Sequence, residues 1–488
     1  MTKINRRQFL TLSAASAGTA VISSCVQTRF DSNSSKPNSV NATRLYKSSD
    51  ALLELDLEAS YHPVQLGSQQ ANLLTYNGQV PAPRLEDKGG DTVRIRFTNS
   101  LSQPTNLHYH GLHIPVTGNA DNVLLSIEPG ETFNYEFTIP QDHPAGLFWY
   151  HPHRHGFVAE QLFGGLAGLF VVRGELDEIP QVKTATEEFL VLQDFALDQA
   201  GKPLPSAQMS LMTGREGELI TVNGQPHSSF SIPANGLLRW RILNASPSRF
   251  YRLSLENHPF HLIATDGGAL AEPVEVSELL LTPGERVDVL VQGNREPGQY
   301  RLLNWPYDRG TMGMGGMMNR RGRMGGNSTN SDPATIATLT YNAASDSVAL
   351  PTQLLAVPPL PAPQQGRRFE LNHGMSPGKG MVFLINGQPY ERDRLDTQVQ
   401  LGTVEEWEIV NTGTMDHPFH VHGNQFQVVS RNGRSEPYRA WKDTALVRRG
   451  ETVRLRIPFR DFPGQTVYHC HILDHEDLGM MGTLVIQT

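Results

Sequence analysis

Cysteine is almost missing from this sequence: 488 residues contain two. Cys25 lies in the N-terminal leader and Cys470 near the C-terminus. No disulfide framework is therefore expected, and Cys470 is free to act as a thiolate. Long apolar runs are missing as well. Past the leader, no stretch is long and apolar enough to span a bilayer. Positive charge is scarce too: the net charge is -8 and no basic patch suggests nucleic-acid binding. The one cationic run, RRGR at 320–323, sits in a glycine-rich loop and reads as solvated.

Glycine and proline are plentiful, with 44 and 33 copies to punctuate many short strands. A chain of this length is expected to form about three domains. The leader carries "NRRQFL" (Asn5–Leu10), a twin-arginine signature, followed by a modestly apolar stretch. It predicts export of an already folded protein to the periplasm or beyond. The leader ends in "ISSC", which resembles a lipobox. Cys25 is thus a candidate lipid anchor and the single expected link to a membrane. A Ser/Asn-rich spacer follows over 26–45.

One pattern occurs three times. "NGQ" appears at Asn77, Asn223 and Asn386. Each copy is followed by an alternating strand ending in asparagine: "TVRIRFTNS", "LLRWRILNAS" and "TVEEWEIVNT". A Gly-Glu strand signal comes next in each: "PGETFNYEF", "PGERVDVLV" and "RGETVRLRI". Period-2 strands with Gly/Pro turns predict an all-β chain of three Greek-key β-sandwich domains. They are placed at 46–178, 179–345 and 366–488, with the Pro-rich linker 346–365 before the third.

The copies differ in histidine. Ten of the 18 histidines concentrate in four segments of the first and third units. The middle unit keeps His258 and His261 but has Ile263 and "LNWP" where the third unit has histidines, so it is expected to hold no metal set. Strand alternation sorts the donors. His469 and His471 share a face and Cys470 points away. Eight same-face imidazoles result: His108, His110, His151, His153, His420, His422, His469 and His471. Eight imidazoles can hold three metals, and each outer unit supplies half. His417, Cys470 and His475, with Met480 nearby, make a two-imidazole, thiolate and thioether set, the donors of a blue-copper site. Zinc would leave the eight imidazoles without a role.

The segments "HYHG", "HPH", "HPFHVHG" and "HCHILDHEDLGM" resemble the copper signatures of the multicopper oxidases, over essentially the whole mature chain. The resemblance implies three cupredoxin-like domains and four coppers per chain. His417, Cys470, His475 and Met480 would hold a type 1 copper. His108 and His420 would hold the type 2 copper. His110, His151, His153, His422, His469 and His471 would hold the type 3 pair. It further implies one-electron oxidation of a small-molecule or metal-ion donor, laccase-like, coupled to reduction of O2 to water. Acids at the places of Asp121 and Glu476 would supply protons. A monomer is expected.

The donor is a separate question. "TMGMGGMMNRRGRMGG" places Met312, Met314, Met317, Met318 and Met324 in a glycine-rich loop, and thioethers favour Cu(I). Met415 and Asp416 beside His417 extend this candidate Cu(I) site. Copper-efflux oxidases pair such a methionine with an acid where this chain has Gly413. A copper nitrite reductase, or a copper-free exported scaffold of the same fold, are the alternatives.

Overall fold

The computed structural model describes residues 43–310, 332–378 and 380–488, apart from the side chains of residues 208 and 209. The leader with Cys25, nearly all of the spacer, and the five methionines of 311–326 lie outside the described residues.

Six β-sheets pair into three sandwiches, the cupredoxin arrangement. The first sandwich has sheets of five and four strands, and the second and third have six and five each. Each encloses its own apolar core. Alternation explains the outer strands. In Leu52–Leu66, Leu53, Leu55, Leu57 and Ala59 point inward while Glu54, Asp56 and Glu58 face solvent. In Thr452–Phe459, Val453, Leu455, Ile457 and Phe459 do the same.

The repeated residues have repeated jobs. Asn77, Asn223 and Asn386 all adopt positive φ, at 53°, 55° and 54°, which asparagine tolerates better than bulkier residues. Each turns its side-chain oxygen to accept a backbone N–H, from Glu58, Val191 and Glu370 respectively. Asn99, Asn244 and Asn411 end the following strand, each donating its amide to two backbone carbonyls. Glu131, Glu285 and Glu451 each accept the backbone N–H three residues earlier. The Gly-Glu signal is therefore a side-chain-capped turn that feeds a strand.

Strands at the interfaces between sandwiches depart from the alternation rule. Leu237–Asn244 is buried on both faces although it contains Arg239 and Arg241. Both guanidiniums pair with Asp288, and Arg239 also reaches Asp177 at 2.6 Å. Arg173 of the first sandwich joins the network through Glu187 at 2.7 Å. Buried charge persists here because it is paired and hydrogen-bonded.

Two strands set up the site. His108–His110 is the edge strand of its five-stranded sheet and pairs antiparallel with Gly146–His151. In the third sandwich, His417–Val421 lies between Gly464–Cys470 and Thr444–Val447.

Candidate metal centres

The register of the third sandwich builds the smaller centre. Phe419 faces Cys470 across the ladder, which puts His417 at the strand's start and Cys470 at its partner's end. Cys470 Sγ lies 3.4 Å from His417 Nδ1 and 3.9 Å from His475 Nδ1, and the two Nδ1 atoms are 3.4 Å apart. The short helix Leu473–Asp477 returns His475 to the sulfur. Gly479, at φ 111°, then turns the chain so that Met480 N donates to His475 O and Met480 O accepts Cys470 N–H. All four side chains are buried. The Phe383 ring stacks on His475 at 3.7 Å. His475 Nε2–H donates to Met212 O at 3.3 Å, which leaves Nδ1 as the bare nitrogen facing the sulfur. Burial holds His417 near pKa 3 and His475 well below the usual imidazole value. Both are neutral donors. Burial raises the Cys470 thiol, so a cation is what would favour its thiolate.

The larger centre lies between the first and third sandwiches. His108 faces His151 in one ladder, and His420 faces His469 in the other. The two halves interlock by ring stacking: His108 on His422 and His110 on His420, both with centroids 3.9 Å apart. Carbonyl oxygens fix the tautomers. His151, His420 and His469 donate Nδ1–H to the carbonyls of Pro152, Asp443 and Cys470. A carbonyl can only accept, so these rings turn bare Nε2 atoms inward. His469 Nε2 comes within 3.1 Å of His153 Nε2 and 2.9 Å of His422 Nε2. Nitrogens of His108, His110, His151, His420, His422 and His471 have no hydrogen-bond partner although all are buried. Burying so many unpaired lone pairs is costly unless a cation joins them. The residues therefore fit a metal. The groups His108–His420–His422, His153–His422–His469 and His417–Cys470–His475 each bring three donor atoms within 4.8 Å of one another. Imidazole with a single thiolate matches copper chemistry.

Two carboxylates named from the sequence border the cluster. Asp121 receives His108 Nδ1–H at 2.9 Å and Tyr109 N–H at 2.9 Å, and burial raises its pKa to about 8. Glu476 is fully buried, 3.6 Å from His153 Nε2 and 3.2 Å from His469 Nδ1. Burial and the nearby Asp477 push its pKa well above the usual range. A third acid was not legible in the sequence: Asp443 accepts His110 Nε2–H at 2.9 Å. The available signal was positional. Asp121 and Asp443 both stand shortly before the Gly-Glu turn of their repeats.

The other sequence candidates divide. Met415 is buried in the third core. Asp416 accepts the Tyr307 hydroxyl and the Arg449 N–H, each at 2.8 Å. Gly310, the last described residue before the methionine-rich run, forms a β-bridge with Met415. In the middle sandwich, His258 is occupied on both nitrogens, by Glu256 O and the Tyr341 hydroxyl.

Three sandwiches with a cysteine–histidine pocket and an inter-sandwich histidine cluster define a cupredoxin-type copper protein. Multicopper oxidase family models match residues 58–177, 186–343 and 360–488. The chain is 29% identical to multicopper oxidase mco of Staphylococcus haemolyticus over 85% of this chain and 84% of that protein. It is 31% identical to cell division protein FtsP of Xenorhabdus nematophila over 86% of each. Among solved structures, a multicopper oxidase from Campylobacter jejuni described as a metallo-oxidase superposes with a TM-score of 0.79 at 34% identity, covering 90% of this chain and 92% of that one. The protein belongs to the multicopper oxidase family and is an oxidoreductase. Among the described residues, no helix is long and apolar enough to cross a membrane.

Proposed function

We propose that the protein oxidises a one-electron donor at His417–Cys470–His475–Met480 and passes the electrons to the eight-imidazole cluster, where O2 is reduced to water. The observation that carries this reading is the continuity of His469–Cys470–His471. Cys470 faces the small centre, while its two covalent neighbours face the cluster. Four coppers, one type 1, one type 2 and two type 3, would supply the one-electron storage and the oxygen chemistry. The type assignments are those the motifs imply: type 1 at His417, Cys470, His475 and Met480; type 2 at His108 and His420; type 3 at His110, His151, His153, His422, His469 and His471.

Each O2 consumes four electrons and four protons. Glu476 and Asp121 are the acids placed to hold those protons: both are buried against cluster imidazoles, and burial shifts both carboxyls towards the protonated form. A cavity of about 570 Å³, lined in part by Arg215, Asp474 and Asp477, opens beside the helix that carries Glu476.

For the donor, we favour Cu(I), with phenols and aromatic amines as further substrates. The methionine-rich run 311–326 starts from Gly310, which is bridged to Met415 two residues before His417. Soft thioethers tethered there would raise local Cu(I) near the electron entry point. The leader supports export by the twin-arginine route to the periplasm, a compartment that suits copper homeostasis.

The test is a rate comparison for Cu(I), Fe(II), Mn(II) and a simple phenol, with and without residues 311–326. Selective loss of the Cu(I) rate supports the assignment, and an unchanged Cu(I) rate removes it. A copper-free scaffold is the second reading, motivated by the resemblance to cell division protein FtsP. Metal analysis separates the two, since a scaffold has no need of this donor set and would purify without stoichiometric copper after growth with the metal.

A further inference from the structure

The middle sandwich brings none of the eight imidazoles, yet one of its side chains grips the aspartate that binds two of them. Arg286 is fully buried and touches all three sandwiches. Its Nε donates to Leu147 O of the first sandwich at 3.0 Å. Nη1 donates to Gly284 O at 3.0 Å and Nη2 to Asp266 O at 2.8 Å, both within the middle sandwich. The same two Nη atoms clasp the two oxygens of Asp443 in the third, at 2.8 and 2.6 Å. Such a fork-to-fork pair fixes the plane of the carboxylate as well as its charge.

Asp443 turns its remaining bonding capacity towards the cluster. Its Oδ1 accepts His110 Nε2–H at 2.9 Å and the Thr444 hydroxyl at 3.0 Å. Its backbone carbonyl accepts His420 Nδ1–H at 2.8 Å. Neither acceptor has a proton to give. His110 must therefore carry its proton on Nε2 and present Nδ1, while His420 carries its proton on Nδ1 and presents Nε2. Those two presented nitrogens are the ones without a partner. One residue thus sets opposite tautomers on two rings stacked 3.9 Å apart, one from each outer sandwich.

The surrounding sequence makes room for the pair. Gly111, directly after His110, has φ 87°, and a Cβ there would lie 2.3 Å from Arg286 Nη2 and 2.4 Å from Asp443 Oδ2. The glycine of "HYHG" is thereby explained. Arg286 itself stands after the Gly-Glu signal where the outer repeats carry Thr132 and Thr452.

We propose that the Arg286–Asp443 ion pair is a positioning element through which the middle sandwich governs the cluster, by fixing the tautomers and ring planes of His110 and His420. The proposal rests on the copper reading above for its consequence, and on hydrogen bonding alone for its cause. It gives a role in the cluster to a middle unit that supplies none of the eight imidazoles.

The test uses the full-length protein, unaltered and as Asp443→Asn and Arg286→Lys. Copper per chain, the blue absorption and the electron paramagnetic resonance of the cluster are measured after copper loading. Ring-nitrogen NMR of the metal-free proteins reports the tautomers of His110 and His420. The unaltered protein should show the Nε2–H form of His110 and the Nδ1–H form of His420. Asp443→Asn should keep the blue absorption, lose at least half of the cluster copper and mix the His110 tautomers. Arg286→Lys keeps the charge without the fork and should act in the same direction more weakly. Two results would overturn the proposal: both variants keeping full cluster copper and unaltered tautomers, or both losing the blue centre and the cluster in equal proportion, as general destabilisation would. Unaltered protein that shows the tautomers but takes up no copper would instead sink the copper reading.

Discussion

The two centres differ in what must assemble before they exist. His417, Cys470, His475 and Met480 all belong to one sandwich, and two of them sit on neighbouring strands whose register is set by backbone hydrogen bonds. The eight-imidazole cluster is shared equally by two sandwiches and depends on ring stacks across their interface. The first centre is a property of a sheet, and the second is a property of packing between sheets. One short sequence, His469–Cys470–His471, serves both because strand alternation turns its middle residue one way and its flanks the other.

The largest effect should come from Cys470→Ser. It is expected to abolish the blue absorption and bring turnover to the limit of detection while the cluster keeps its copper. Loss of copper from both centres would show that the two are not separable. Glu476→Gln should act on the cluster alone. We expect the O2-dependent rate to fall by about 10²-fold, with donor reduction of the blue centre under argon unchanged in stopped-flow measurements. A fall in both half-reactions would move Glu476 from proton supply to structure.

Acid should sharpen the contrast in the metal-free protein. Burial, with added repulsion between neighbouring rings in the cluster, holds these imidazoles low, to about 3 for His153 and His417. An unfolded chain takes up protons near the ordinary pKa of about 6.5, and the folded one does not. The stabilisation is therefore present above that value and is lost as pH falls towards 3. Asp121 has the opposite sign: its contribution is full at low pH and disappears as pH rises through about 8. Thermal unfolding of metal-free protein should thus show a melting temperature that drops steeply from pH 7 to 4. A flat profile would contradict neutral, buried rings. The smallest effect should come from His258→Gln, which leaves copper content unaltered, because both ring nitrogens already have protein partners.

Much of this was legible before the structure. Repetition of NGQ, of the strand-ending asparagine and of the Gly-Glu turn gave the three sandwiches, because each residue satisfies the same local hydrogen bonds in every copy. The histidines were legible because their spacing of two is a strand property. Asp443 and Arg286 were not. Each is an ordinary residue in its own segment, and each acquires its role across a sandwich boundary that no local pattern encodes. Arg239 and Arg241 follow the same logic: strand alternation alone would turn them to solvent, and the packing of the sandwiches buries them against Asp177 and Asp288. Met415 stands next to the blue-centre motif in sequence and is buried in the same core as Cys470 and Met480.

The most direct test of two centres joined through Cys470 is copper counting, with spectra, on the full-length protein and Cys470→Ser. About four coppers and a blue band are expected in the first, and about three coppers without the band in the second. A copper-loaded, colourless protein, or one holding a single copper, would contradict two joined centres.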